Sequence, residues 1–199
     1  MLKKYSLPQL IFLLASCYFS QAYAQMYDDS LAVDRHLVKI SSNAYMNAML
    51  KFTQRDTKEP LDKLEELGLT MDSECDEICE TYLVEKKSKH KMQLPSGFDQ
   101  GVMGIVFSPS NERFVIYSSY DGPDYTSYYF HRAEIVSYNL SNDTGLKAIH
   151  DELAHHLYNW SIEDLFWINE NTVALKVYEG SRTTTGVEGG YKYFKLRLM

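Results

Sequence analysis

The residues best suited to chemistry gather in three places. The first is His150-Asp151-Glu152-Leu153-Ala154-His155-His156. On a helix, Glu152 would share a face with His155 or His156, at i+3 and i+4, which is the spacing of a partial metal site. His150 and His155 are five apart, about 140° around a helix, so they do not form a His-Glu-x-x-His pair. A further ligand would have to come from elsewhere, and His131 is the candidate. His131, Glu152, His155 and His156 are therefore the residues a metal-dependent reading rests on. The competing reading is an exposed polar helix.

The second place is Cys75 and Cys79. An oxidising compartment favours pairing. In a regular helix their Cβ atoms would stand roughly 5–6 Å apart, whereas a disulfide wants about 3.8 Å. The choices are a local disulfide at a helix start or distortion, two buried thiols, or an intermolecular bridge. Compartment puts the local bond first. Thioredoxin-like redox chemistry uses Cys-x-x-Cys on a βαβ framework, which this spacing does not match.

The third place is Tyr120-Asp121-Gly122-Pro123-Asp124-Tyr125-Thr126-Ser127-Tyr128-Tyr129-Phe130-His131. Tyrosine offers large contact area at low entropy cost together with a polar tip, which suits binding loops. Tyr120, Tyr125, Tyr128 and Tyr129, with Asp121 and Asp124, are the binding candidates, for a protein or glycan partner. The alternative is that Tyr128 to Phe130 begin the next strand and bury against the sheet. No Gly-x-Ser-x-Gly or strand-borne phosphate loop occurs, and Gly186-Val187-Glu188-Gly189-Gly190 lies between strands as a hairpin loop. The sequence makes no positive case for an enzyme and calls for no cofactor.

The compartment follows from the N-terminus. Lys3 and Lys4 precede an apolar run, Leu10 to Phe19, and Ala22-Tyr23-Ala24 follows. This is the pattern of a secretory signal peptide over residues 1–24, cleaved after Ala24. Leu14-Ala15-Ser16-Cys17 also fits a lipobox, which would place a lipid anchor on Cys17. Tyr18 and Phe19 continue the apolar run where a lipoprotein tether is usually polar, so cleavage after Ala24 leads. Removing Lys3 and Lys4 lowers Lys+Arg from 20 to 18 against 27 acids, a net charge of about −9 with His neutral. That balance disfavours nucleic acid as a partner, since phosphate binding needs a basic face. No second apolar run has the length of a membrane span. A periplasmic or secreted protein is expected, or a lipoprotein anchored through Cys17.

Residues 25–95 read as helical. Asp28, Asp29 or Ser30 can cap a first helix whose face carries Leu37, Ser41, Tyr45, Ala48 and Phe52. Gln54 to Glu59 interrupts it. Pro60 suits the first turn of a second helix, with Leu61 and Leu64 buried and Gly68 as its left-handed stop. A third helix begins near Asp72 or Ser73, with Cys75, Ile78, Cys79, Tyr82 and Leu83 on its apolar stripe. Its end carries Lys86, Lys87, Lys89, His90 and Lys91, read as a solvated helix end rather than an anion site.

Residues 96–199 change to a period of two. Strands are expected at Val102 to Phe107, Arg113 to Tyr120, Ala133 to Leu140, Leu146 to Ile149, Leu165 to Ile168, Thr172 to Tyr178 and Tyr191 to Leu198. A helical insertion is expected at 151–158. Consecutive strands with short turns imply antiparallel pairing.

Ile105-Val106-Phe107-Ser108-Pro109-Ser110-Asn111-Glu112-Arg113-Phe114-Val115-Ile116-Tyr117 resembles the strand, Ser-Pro-Asp-Gly, strand hairpin of WD40-like and TolB-type β-propeller blades. Leu165 to Tyr178 with Tyr191 to Leu198 is similar to a second copy offset by about 60 residues. The turn differs, with Asn111-Glu112 in place of Asp-Gly. Two copies cannot close a propeller, which takes about four or more blades. The expected fold class is α+β: N-terminal helices packed on a twisted antiparallel sheet of about seven strands in meander order. The alternative is two small blade-like sheets with a helical extension.

The functional expectation is an exported, non-enzymatic binding or envelope accessory protein using loops 120–131 and 181–190. The alternative is an exported metal-dependent hydrolase with a site near His131 and His150–His156.

Overall fold

The computed structural model describes residues 35–53, 60–96, 101–122, 130–183 and 185–198. The chain divides into Met1–Asp34 and Arg35–Met199, and only the second unit falls among the described residues. The expected signal peptide with cleavage after Ala24, the lipid-anchor candidate Cys17 and the expected caps at Asp28, Asp29 and Ser30 lie outside them.

A short strand β1 (Leu37–Lys39) leads into helix α1 (Ser42–Thr53). Ser41 caps α1, its Oγ accepting from the Ala44 amide at 3.1 Å. Helix α2 (Pro60–Glu66) follows and stops at Gly68, whose φ of 73° is the left-handed stop expected there. Leu64 is buried, but Leu61 is 63% exposed and not part of a buried side.

Then come strands β2 (Leu69–Cys75), β3 (Cys79–Glu85), β4 (Lys91–Leu94), β5 (Gly104–Phe107), β6 (Arg113–Gly122), β7 (Phe130–Leu140) and β8 (Ile149–Tyr158). β9 (Ser161–Asn169), β10 (Thr172–Tyr178), the two-residue strands β11 (Arg182–Thr183) and β12 (Gly186–Val187), and β13 (Lys192–Arg197) complete the unit.

The protein is α+β and mostly strand, built as several antiparallel sheets. The first sheet has the order β2-β3-β4, the central sheet β5-β6-β7-β8, and the third β9-β10-β13-β1; β11 and β12 form a small hairpin of their own. This corrects the single seven-strand meander, and the alternative of two small sheets with it. The reason lies in β6 and β7. Phe114, Ile116, Val136 and Tyr138 join one core with Leu64, Leu69, Leu83 and Leu94. Val115, Ala133 and Ile135 join another with Leu165, Trp167, Leu175 and Leu196. Both faces of the central sheet are apolar, so both must be covered, and one covering layer cannot do that. Helix α1 lies on the far face of the third sheet, where Tyr45 packs with Phe166 and Ala174.

Two helices expected from pattern are strands. The stretch carrying Cys75, Ile78, Cys79, Tyr82 and Leu83 is the β2–β3 hairpin, with Cys75 directly opposite Cys79. Ile78 is 58% exposed, while Leu83 is buried against α2 and the central sheet. A five-residue i, i+3, i+4 pattern is also what a hairpin produces when one apolar residue sits at its tip. The segment 151–158 is part of β8, paired through Leu157 with Glu134 and His155 with Val136. Leu37, placed on the first helical face, sits in β1 opposite Leu196. The expected strand Leu146 to Ile149 is a 3₁₀ turn, Gly145–Ala148, followed by β8. Gly145 has φ of 68° and donates its amide to Leu67 O at 2.7 Å; a Cβ there would collide with the Glu85 carboxylate.

Candidate binding edge

The central and third sheets are tied together at both ends. At one end the Ser108–Glu112 turn meets the β9–β10 turn. Glu170 accepts from the Ser110 amide at 2.9 Å and the Ser110 hydroxyl at 2.6 Å, and Arg113 donates to Glu170 O at 3.2 Å. Between the ends, the Trp167 indole donates to Val106 O at 3.0 Å.

The other end carries the tyrosine-rich connection. Tyr120 and Asp121 close β6, opposite Arg132 and His131 of β7. Ser161 begins β9 and pairs with Tyr178, the last residue of β10. The Ser119 hydroxyl accepts from the Ile162 amide at 2.8 Å. Ser161 Oγ donates to Tyr120 O, and His131 Nδ1 lies 2.9 Å from the same Oγ. A hydroxyl has one proton. Since Ser161 gives it to the Tyr120 carbonyl, the Oγ accepts from His131 Nδ1–H. An activated serine needs the opposite polarity, with the imidazole taking the hydroxyl proton. Ser161 is also fully buried. This Ser-His contact is therefore a structural tie and not a nucleophile.

The Tyr178 hydroxyl donates to Asp121 Oδ2 at 2.5 Å, and the Tyr178 ring meets the His131 ring edge-on at 5.5 Å. Tyr191, at the foot of the second long connection, packs edge-on against Tyr178 at 6.1 Å. Lys176 Nζ sits 3.9 Å from the Tyr191 ring centroid, and the Tyr191 hydroxyl reaches Glu163 at 3.4 Å. One chain of contacts, Asp121 to Tyr178 to Tyr191, thus links the base of loop 120–131 to the base of loop 181–190. The second loop folds as the β11–β12 hairpin, closed by the Glu188 amide on Ser181 O at 3.0 Å.

Among the binding candidates, Asp121 spends its carboxylate on Tyr178, and Tyr120 lies beneath the Arg132 guanidinium, 5.9 Å from its ring centroid. Asp124, Tyr125, Tyr128 and Tyr129 lie outside the described residues. Ser161, Tyr178 and Ser119 carry the buttress and have no sequence motif; only their place at strand ends marks them.

The histidines do not come together as the metal reading needs. His155 and His156 are neighbours on a strand and point to opposite faces. His155 Nε2 lies 2.6 Å from Glu134 Oε1, whereas the His156 ring lies parallel to Tyr158 at 6.1 Å. His131 is engaged with Ser161. The helical face that was to unite Glu152 with His155 or His156 does not exist, because β8 is paired along β7. Among the described residues no group of three or more His, Cys, Asp or Glu side chains is placed to hold a metal ion.

Cys75 and Cys79 are disulfide-bonded, with Cα atoms 4.0 Å apart. The lysines 86–91 lie in and beside the β3–β4 turn, not at a helix end. Lys86 pairs with Glu65 at 2.6 Å and holds that carboxyl below its ordinary range, chiefly by the hydrogen bond. Lys91 pairs with Glu74 and Asp72, and its ammonium is raised, mainly by the Glu74 hydrogen bond. A second buried polar contact was not legible beforehand. The Tyr45 phenol of α1 donates to Asp164 of β9 at 2.5 Å, and burial, then Asp164, push its pKa well above 10.0.

The fold and this edge define an α+β protein of stacked antiparallel sheets with two loop connections rooted in one buttressed end. Among the described residues no helix is long and apolar enough to cross a membrane. Compared with known proteins, the chain matches no family profile, no curated protein and no solved structure.

Proposed function

We propose that this is an exported binding or envelope accessory protein that holds a protein or glycan partner with loops 120–131 and 181–190. The observation that supports it is the Asp121–Tyr178–Tyr191 chain of contacts, which roots both connections in one rigid sheet end. Binding loops set on a rigid scaffold lose less entropy on capture. The tyrosines of the first loop supply contact area with polar tips. Export follows from the N-terminal residues, with cleavage after Ala24 and Gln25 as the new N-terminus.

Replacing Tyr125 and Tyr128 together by Ala tests the binding role. The melting temperature should stay within a few degrees, as for a surface change. Retention on immobilised glycans and on crosslinked envelope partners should fall to background. A large loss of stability would show those rings to be core and end the proposal. The intact mass of the exported chain tests the compartment: a start at Gln25 supports signal cleavage, and an acylated start at Cys17 replaces it with a lipid anchor.

A further inference from the structure

We infer that the tip of the β2–β3 hairpin is a redox-operated element, closed by the Cys75–Cys79 disulfide and opened by its reduction. The tip has little else to hold it. β4 runs beside β3 only from Val84 to Thr81, where Leu94 ends the pairing. Beyond that point the hairpin is two-stranded, which is marginal in water by itself. Ser73, Glu74 and Cys75 are exposed, as are Glu80 and the apolar tip residue Ile78.

The charges work against closure. Glu74 stands directly opposite Glu80, and Asp76 and Glu77 occupy the turn between the cysteines. Like charges facing each other across a ladder are destabilising. Lys91 reaches Glu74 and Asp72, on the β2 side; Glu80 accepts from the Tyr82 hydroxyl. The body begins at Thr81, which is buried and accepts from the Val102 amide at 3.1 Å. Gly101 lies close over Cys79 O and Thr81 Oγ1. The boundary between a tip free to open and an anchored ladder therefore falls at Cys79–Thr81.

The step balances with a dithiol as reductant. The Cys75–Cys79 S–S bond takes two electrons and two protons from it and becomes two thiols, while the dithiol leaves as a cyclic disulfide. The restraint across the tip is then gone and the facing carboxylates separate. The reverse exchange, with a disulfide taking the two electrons and two protons and leaving as a dithiol, closes it again.

Amide hydrogen exchange on the full exported chain, oxidised and reduced, tests this. On reduction, amides from Ser73 to Glu80 should exchange about tenfold faster or more, while those of Val115, Ile135 and Leu175 keep their protection, as expected of local opening. The double variant Cys75→Ser/Cys79→Ser should behave as the reduced protein. Raising NaCl to about 0.5 M should slow the reduced tip, because salt screens the repulsion between its exposed carboxylates. Glu80→Gln in the reduced protein should restore part of the protection. Equal tip exchange in both redox states overturns the inference. So does loss of core protection together with the tip, which would make the bond part of the global fold.

Discussion

The first sheet and the central sheet are both meanders of short antiparallel strands, yet they are held by different means. In the central sheet β6 buries both faces, Phe114 and Ile116 on one side and Val115 on the other. Its ends are tied to the third sheet by Glu170 and by Tyr178. In the first sheet only the half nearest the body is covered, through Leu69, Leu83 and Leu94. Its far half has a covalent bond where the central sheet has packing. The comparison shows what an exposed strand pair needs to remain paired: without apolar burial, a short crosslink substitutes for it.

The sharpest way to break the comparison is at Trp167. It is fully buried between the central and third sheets and its indole donates to Val106 O. Trp167→Ala should cost about 3–5 kcal/mol by cavity formation and loss of the hydrogen bond, read from chemical denaturation. A smaller effect would mean that the two sheets can close over the void.

Next in size is Tyr45, which fixes α1 to the third sheet. Tyr45→Phe should cost about 1–2 kcal/mol near neutral pH, since it leaves the Asp164 acceptor without its donor. Its phenol is raised above the ordinary 10.0 in the folded state. The folded state therefore favours the protonated form, and this contribution is complete below pH 10 and lost as pH rises above it. Tyr117 is raised too, by burial and then by Asp164, and adds to the same alkaline loss. Denaturation midpoints measured from pH 8 to about 11 should fall less steeply in Tyr45→Phe than in the parent. An unchanged slope would show that Tyr45 does not control it.

Glu170→Ala removes the acceptor for the Ser110 amide and hydroxyl. The turn is exposed, so a loss of about 1 kcal/mol is expected. Double-mutant cycles with Ser110→Ala should show coupling, because the two residues touch. The smallest effect belongs to the first sheet's periphery. Glu65→Gln breaks the pair with Lys86 on the open surface and should leave the denaturation midpoint unchanged within error, since such pairs are screened by water and salt.

Much of the β region was legible. Thr172 to Tyr178 is a strand with the expected bounds, and Arg113 to Tyr120 and Ala133 to Leu140 lie within β6 and β7. Those segments alternate and are rich in Val, Ile, Phe and Tyr, so their local preference and their burial agree. The Ser110–Glu170 clasp joins positions 60 apart in the chain, so the turn after β5 meets the turn after β9. The hairpin at Cys75–Cys79 and the segment 151–158 carry helical spacing but are strands. Both hold apolar residues three and four apart, a spacing that a helix face shares with a hairpin tip or a bulged strand. For the candidate edge, loops 120–131 and 181–190 were visible by composition, but their shared root was not. Tyr178 and Ser161 are ordinary strand residues until β9 and β10 bring them to Asp121 and Tyr120.

By itself the chain's sequence determined most of the β strands after Gly101, the second helix and its stop at Gly68, and the proximity of Cys75 to Cys79. These depend on neighbours within a few residues, where side-chain period, proline, glycine and loop length act directly. Only the tertiary structure decided that the strands divide into three larger sheets and the small β11–β12 hairpin, and that β1 pairs with β13 at the far end of the unit. It also decided that the histidines scatter among separate partners. Those outcomes depend on which apolar faces find cover and which edges find partners, and that choice is made between segments far apart in the chain.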